Sequence, residues 1–103
     1  MEVAGDPDDF MPAYNALDKK SAMYNVVQDV IRDLKNDNIR GEHIKRDIVP
    51  RHYTRKHDLN AVFKVDLPHY WRLIYGITAV HGKKKALLIE LFDHERYNKR
   101  FGF

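Results

Sequence analysis

The sequence predicts an α+β fold in which an N-terminal helix, or a helical hairpin, packs on a small antiparallel β-sheet. Three observations support this prediction: an amphipathic stretch in the first third of the chain, alternating apolar residues in the second half, and a glycine turn between two apolar runs. A length of 103 residues suits one domain spanning the chain. Because cysteine is absent, the chain has neither a disulfide framework nor a thiolate metal site.

The helical part of the prediction rests mainly on residues 19–36. Apolar residues recur there at spacings of three and four and define one helix face: Met23, Val26, Val27, Val30, Ile31 and Leu34. We expect Asp18 to cap this helix, because its carboxylate can accept a hydrogen bond from a first-turn backbone N–H. Residues 1–12 mix acidic and turn-forming side chains and predict a loose lead-in or a helical turn. Residues 93–103 predict a short helical or irregular tail.

The first predicted long strand begins at residue 61, where apolar residues start to recur at every second position. Residues 61–67 alternate between apolar and polar side chains, and residues 70–80 are rich in aromatic and β-branched ones. Residues 81–83 contain a glycine suited to a tight turn, so we expect residues 86–92 to pair with the preceding strand as a hairpin. Residues 42–60 predict a connector with a short first strand.

Charge is distributed unevenly along the sequence. Residues 1–38 carry four basic and eight acidic side chains, whereas residues 39–103 carry fourteen basic and seven acidic ones and all six histidines. A basic half predicts a polyanionic partner, and the RNA-binding residues we expect are Arg51, Arg55, Lys56 and Arg100. The alternative is a solvated basic surface without such a partner.

Several classes of function are not indicated. No apolar run approaches the roughly 18–20 residues that span a bilayer, and the first residues lack the pattern of a signal peptide. We therefore expect a cytoplasmic protein without a membrane partner. His52 and His57 are five residues apart, which does not place them on one helix face, so no metal site and no cofactor are predicted.

The alternation of strand side chains predicts a candidate site. If the helix covers the apolar face of the sheet, then Lys64, Arg72 and Glu90 project together from the uncovered face. We expect His94 and Tyr97 of the tail to border that face, together with the basic segment before the first long strand. A simpler alternative is a cross-strand ion pair between Arg72 and Glu90. The expected core residues of the last strand are Leu87, Ile89 and Leu91.

These residue types suit phosphate chemistry. The guanidinium of arginine grips phosphate oxygens in pairs, and lysine supplies a point charge. Cleavage of RNA through its own 2′-hydroxyl requires an acceptor for that proton, cations for the transition state and a proton donor for the leaving oxygen. Histidine changes charge near neutral pH, which makes His94 a candidate proton carrier.

Two segments of the second half form a more specific pattern. They read Leu-Pro-His-Tyr-Trp-Arg-Leu-Ile-Tyr at residues 67–75 and Leu-Ile-Glu-Leu-Phe-Asp-His-Glu-Arg-Tyr-Asn-Lys-Arg-Phe-Gly-Phe at residues 88–103. Together with the predicted helix and the Gly41-x-x-Ile44 connector, they resemble toxins of the RelE/ParE superfamily of type II toxin–antitoxin systems, the RelE-like branch in particular. The resemblance extends over most of the chain.

The resemblance implies a compact helix-plus-antiparallel-sheet fold and a cognate antitoxin that covers the site. For the RelE branch it implies metal-independent endoribonuclease activity on mRNA at the ribosome. By position, it implies that Arg72 and Lys64 are catalytic cations, allowing one inserted residue for the lysine, and that His94 or Tyr97 is the late catalytic residue. The alternatives are a ParE-like gyrase inhibitor, a catalytically silent relative, or a stand-alone RNA-binding protein.

The sequence departs from the family pattern in two places. Members usually open with a strand before the helices, whereas residues 1–18 do not predict one, so we expect one edge of the sheet to be missing. Well-studied ribonuclease members place a further arginine after the last strand, where this chain has Asp93-His94-Glu95. The second departure bears on catalysis more than on the fold.

Overall fold

Residues 1–102 are described by a computed structural model, so the last residue of the predicted tail, Phe103, lies outside the described residues. They form five strands and four α-helices, with single 3-10 turns at Arg46–Ile48 and Pro68–Tyr70. In chain order the elements are β1 (Glu2–Gly5), α1 (Met11–Asn15), α2 (Ala22–Lys35), β2 (Glu42–Ile44), α3 (Arg51–Lys56), β3 (Ala61–Asp66), β4 (Arg72–Val80), β5 (Lys83–Phe92) and α4 (His94–Phe101).

The five strands form one mixed sheet in the order β1-β5-β4-β3-β2. The last four pair antiparallel with their neighbours, whereas β1 pairs parallel with β5, from Glu2 opposite Lys85 to Gly5 opposite Leu88. The α+β prediction is confirmed, but the predictions of a purely antiparallel sheet and of a missing edge are wrong. The pairing with β5 makes β1 a strand, and four residues are too few for their own alternation to reveal it.

The amphipathic helix is confirmed as α2, although it begins later than predicted. Ser21 is its N-cap, since the Ser21 Oγ accepts a hydrogen bond from the Tyr24 backbone N–H at 3.1 Å. Asp18 instead accepts from the Lys20 backbone N–H at 2.9 Å, in the turn before the helix. The predicted helix face is buried, most completely at Val27, Val30 and Leu34.

Helices cover both faces of the sheet. The face toward α1 and α2 holds the larger core cluster, which includes Phe10, Leu73, Tyr75, Leu88 and Leu91. The face toward α3 and α4 holds a second cluster, which includes Tyr53, Ile74, Ile89, Phe92 and Tyr97. The face that we expected to be uncovered is therefore partly covered by two helices. One is α3, in the segment predicted as a connector, and the other is α4, where the sequence predicted a short helical or irregular tail.

A β-bulge in β5 changes which of its side chains share a face. Ile74 pairs with Glu90 while Tyr75 pairs with Leu88, so Ile89 is an extra residue on β5. Leu91 faces α2 as predicted, but Leu87 and Ile89 pack in the second cluster instead, because the extra residue shifts the alternation.

The predicted hairpin between β4 and β5 is confirmed. His81 (φ 52°) and Gly82 (φ 76°) both adopt left-handed backbone conformations, as a two-residue type I′ turn requires. Within residues 1–102, none of the helices combines the length and apolar character needed to cross a membrane.

Candidate active site

The sheet register brings the predicted strand residues to one face. Ile74 on β4 lies opposite Lys64 on β3 and opposite Glu90 on β5. Arg72 precedes Ile74 by two residues and therefore points to the same side of β4. The prediction that Lys64, Arg72 and Glu90 share a face is confirmed, and this is the face covered by α3 and α4.

Glu90 is not a partner of Arg72. The residue is 3% exposed, and its carboxylate accepts hydrogen bonds from the Arg100 Nε at 2.9 Å and from the Tyr53 hydroxyl at 3.2 Å. Burial, with the neighbouring Glu90 charge, raises the pKa of Tyr53, so its hydroxyl stays protonated and donates. The alternative of a cross-strand Arg72–Glu90 ion pair is therefore excluded, because Arg72 lies opposite Phe92 and α4 brings Arg100 to the carboxylate.

The ring of Tyr97, on α4, contacts the two predicted cations of the sheet, Lys64 and Arg72. Tyr97 is 9% exposed, stacks on Phe101 with ring centroids 4.6 Å apart, and contacts the edge of Phe92. The Lys64 Nζ lies 5.8 Å from the centroid of the Tyr97 ring, and the Arg72 Cζ lies 5.7 Å from it. Both distances are within the range of a cation–π interaction, so α4 packs directly on the two predicted cations.

A cleft of about 660 Å³ opens between α4 and the edge strand β2 with its following turn. This volume falls within the roughly 300–1,000 Å³ typical of ligand sites. Lys64, His94 and Tyr97 line it, so three of the four predicted catalytic residues share one cleft, and the fourth, Arg72, contacts the same tyrosine ring. The remaining lining residues are Glu42, His43, Ile44, Lys45, Asp47, Ile48, Asn98 and Phe101.

Exposed carboxylates pair with both cations. The Lys64 Nζ lies 3.6 Å from Glu42 on the neighbouring strand and 3.9 Å from Asp66, and the Arg72 Nε lies 3.0 Å from Asp66. Ion pairs with exposed partners contribute only about 0–1 kcal/mol. A phosphate group binds arginine in the same bidentate way as a carboxylate and so competes for these donors. The short first strand predicted within residues 42–60 is confirmed as β2, but its three residues are too few to show which side chains share a face, so the role of Glu42 was not predicted.

The first turn of α4 fixes the position of His94. Asp93 caps the helix by accepting a hydrogen bond from the Arg96 backbone N–H at 2.9 Å. His94 follows this cap, is exposed, and has its Nε2 3.2 Å from the Nδ2 of Asn98 one turn later. Its imidazole is therefore accessible at the cleft wall on a defined backbone.

The four predicted RNA-binding residues lie in two different electrostatic environments. Arg51 and Arg55 are exposed on α3. Lys56, also on α3, ion-pairs with three aspartates of the β1–α1 loop, and Arg100 pairs with buried Glu90. The charges of the last two are thus largely balanced within the chain, and the RNA-binding role of all four stays a prediction.

The acidic first part of the chain supplies those aspartates. Asp6 is fully buried and accepts hydrogen bonds from the backbone N–H groups of Asp8 and Asp9, from Lys56, and from the ring of His57. Burial acts to raise the pKa of Asp6, but these hydrogen bonds outweigh it and lower the pKa to about 2. Part of the charge asymmetry seen in the sequence is therefore neutralised inside the fold rather than presented to a partner.

Comparisons of the chain with protein-family models, with curated proteins and with solved structures found no match. The arrangement of side chains around the cleft is therefore the main physical evidence for a function.

Proposed function

We propose that the chain is the toxin of a type II toxin–antitoxin system and acts as a RelE-like endoribonuclease on mRNA at the ribosome. The observation that carries the proposal is the cleft that Lys64, His94 and Tyr97 line together, with Arg72 against the same tyrosine ring. Metal-independent RNA cleavage requires a proton acceptor, a proton donor and positive charge at the phosphate, and an imidazole, a phenol and two cations can supply these.

In the proposed reaction the 2′-oxygen of one nucleotide attacks the adjacent phosphorus. The new P–O2′ bond forms as the P–O5′ bond breaks, which leaves a 2′,3′-cyclic phosphate and a 5′-hydroxyl. One proton leaves the 2′-hydroxyl and another reaches the 5′-oxygen, and His94 and Tyr97 divide these transfers. Arg72 and Lys64 stabilise the negative charge that develops on the phosphate oxygens. The exchange of protons balances without a metal ion.

Two further features support the proposal. The strand β1 precedes both helices of the first half, and RelE/ParE toxins usually open with a strand, so one departure from the family pattern no longer applies. On α4, a hollow of about 230 Å³ is lined by Phe92, Arg96, Lys99 and Arg100. Two of these basic side chains, Arg96 and Lys99, are exposed and favour contact with an RNA backbone beside the cleft, whereas Arg100 is paired with Glu90.

The proposal includes a cytoplasmic site of action, where ribosomes are found, and a cognate antitoxin that covers the cleft. The test combines induced expression with nucleotide-resolution mapping of mRNA on ribosomes. Wild type should arrest growth and produce discrete cleavages. Arg72→Ala should reduce the cleavage rate about 10²–10³-fold, as removal of one transition-state interaction does elsewhere. Lys84→Ala, an exposed change in the β4–β5 hairpin, is the matched control and should cleave like wild type.

The second candidate is a non-enzymatic relative of the same fold, either a ParE-like gyrase inhibitor or a silent RNA-binding protein. It is favoured by the carboxylate partners that Lys64 and Arg72 already have, since paired cations are less available to a transition state. Growth arrest with intact mRNA and inhibited gyrase supercoiling would replace the first proposal with the gyrase inhibitor. RNA binding without cleavage or growth arrest would select the silent relative.

A further inference from the structure

An exposed aromatic ring stands beside the cleft, on the loop between β3 and β4. Tyr70 is 75% exposed, and its ring centroid lies 6.4 Å from that of His94, with the two planes inclined by 59°. Arg72 follows it by two residues. Tyr70 belongs to neither core cluster, so burial of apolar surface does not explain an aromatic side chain at this position.

The backbone holds this ring outward in an unfavourable conformation. His69 (φ 60°) and Tyr70 (φ 62°) both adopt left-handed conformations, which are disfavoured for residues with a Cβ and most of all for bulky ones. The loop is fixed from both ends, because the Leu67 backbone N–H donates to the Trp71 carbonyl at 2.9 Å and Trp71 packs against the core on the α2 side. Local strain maintained in this way concentrates at functional sites.

We propose that Tyr70 is a stacking platform for one nucleobase of single-stranded RNA, the base of the nucleotide whose 2′-hydroxyl reacts. This inference rests on the proposed function and names the part of the substrate that the cleft residues leave unassigned. Exposed aromatic rings bind unpaired bases of any sequence through their π-faces.

The order of side chains matches the order of groups in one nucleotide. A base is bonded directly to its ribose, so a base on Tyr70 brings that ribose beside His94, whose ring is 6.4 Å away. The phosphate that follows the ribose then falls toward Arg72, on the same chain segment as Tyr70. Tyr70 thereby selects which nucleotide is positioned for attack, without reading the identity of its base.

The test uses a single-stranded RNA oligonucleotide with 2-aminopurine in the nucleotide before the scissile bond, made 2′-deoxy at that nucleotide to prevent cleavage. Binding of wild type should quench the 2-aminopurine fluorescence, because the probe stacks on the ring. Tyr70→Phe should retain the quenching, and Tyr70→Gly should abolish it and weaken binding about 5- to 150-fold, the range that base–aromatic stacking supplies.

Tyr70→Gly is the informative variant because glycine accepts the positive φ, so the loop keeps its conformation and the thermal midpoint should not fall. His81→Ala, an exposed ring at positive φ in the distant β4–β5 turn, is the matched control and should quench like wild type. Equal quenching by wild type and Tyr70→Gly, or no quenching by wild type, would overturn the stacking platform. Wild-type cleavage of mRNA on ribosomes is scored separately, so that result would leave the proposed function standing.

Discussion

The Arg100 guanidinium donates from Nε to the buried carboxylate of Glu90 at 2.9 Å and thereby ties α4 to the centre of the sheet. Burial alone would lower the pKa of Arg100, but the hydrogen bond to Glu90 outweighs it and raises the pKa, so the guanidinium stays charged. The Tyr53 hydroxyl donates to the same carboxylate from α3. One carboxylate therefore anchors both helices that cover this face of the sheet, and one of them, α4, lines the cleft.

Removal of the Arg100 side chain should leave the buried Glu90 carboxylate with the neutral Tyr53 hydroxyl as its remaining hydrogen-bond donor. We expect Arg100→Ala to lower the free energy of unfolding by roughly 3 kcal/mol, as removal of one partner of a buried ion pair does. Urea denaturation followed by circular dichroism measures this. Arg96→Ala, an exposed change on the same helix, is the control and should stay within about 0.5 kcal/mol of wild type. Equal urea midpoints for the two variants would show that the ion pair does not stabilise the fold.

Asp6 should make stability depend on acidity. Its pKa is lowered to about 2 in the fold, below the ordinary value of 3.8, so its contribution is complete above about pH 4 and disappears as the pH falls toward 2. Asp6→Asn should be less stable at neutral pH by about 2 kcal/mol and should lose less stability on acidification. Unfolding free energies measured between pH 7 and pH 2 test this, with exposed Asp58→Asn as the control. Parallel curves for Asp6→Asn and wild type would contradict it.

Leu73 should carry a large share of the helix–sheet packing. It lies on β4 and is fully buried in the core cluster on the face toward α2. Leu73→Ala should cost roughly 2–5 kcal/mol, because apolar packing is removed and a cavity forms in its place. Val80→Ala, at the exposed end of the same strand, provides the comparison and should cost far less in the same denaturation experiment.

RNA affinity should fall as the salt concentration rises, and the exposed arginines of α3 should account for part of this dependence. Arg51 and Arg55 are exposed, so reversing both to Glu should weaken binding and reduce the slope of log affinity against log salt by about 0.7 for each phosphate that is no longer neutralised. Lys56→Glu should chiefly destabilise the fold instead, since Lys56 ion-pairs with Asp6. Fluorescence anisotropy at several salt concentrations distinguishes these outcomes. A slope near zero for wild type would refute the polyanion interpretation.

Cleavage rates of two variants should show whether His94 or Tyr97 carries out more of the proton transfer. His94→Gln and Tyr97→Phe each remove one titratable group, and the variant with the slower single-turnover cleavage identifies the residue that does more of the transfer. Lys84→Ala, an exposed change in the β4–β5 hairpin that contacts none of the cleft residues, is the control and should cleave like wild type. Cleavage unaffected in both test variants would remove these two residues from the mechanism.

Local sequence patterns predicted those parts of the fold that local physics determines. Three- and four-residue spacing places Val27 and Leu34 in the core, and a period of two places Lys64 and Arg72 on the face opposite Leu73. In each case the direction of a side chain can be predicted from the neighbouring sequence alone, because side-chain directions repeat with a fixed period along a helix or a strand.

The remainder depends on contacts between distant segments. β1 is a strand because β5 supplies its partner, and the bulge at Ile89 is a property of the β4–β5 register. The same holds for the acidic loop, where Asp6 is buried because Lys56 and His57 reach it from α3 and the residue after it. The prediction of an uncovered sheet face was wrong for the same reason. The basic segment that forms α3 shows no clear helical period in the sequence, yet its Tyr53 is completely buried against the sheet.

The pairing of β1 with β5 has a consequence for the order of folding. The β4–β5 hairpin closes through a two-residue turn and forms early, because contacts between near neighbours require little loop closure. Glu2 pairs with Lys85, which lies far along the sequence, so this edge of the sheet forms only after β5 is available. During synthesis, the residues of the cleft on α4 emerge after both strands. A nascent chain therefore has no complete cleft until α4 has left the ribosome.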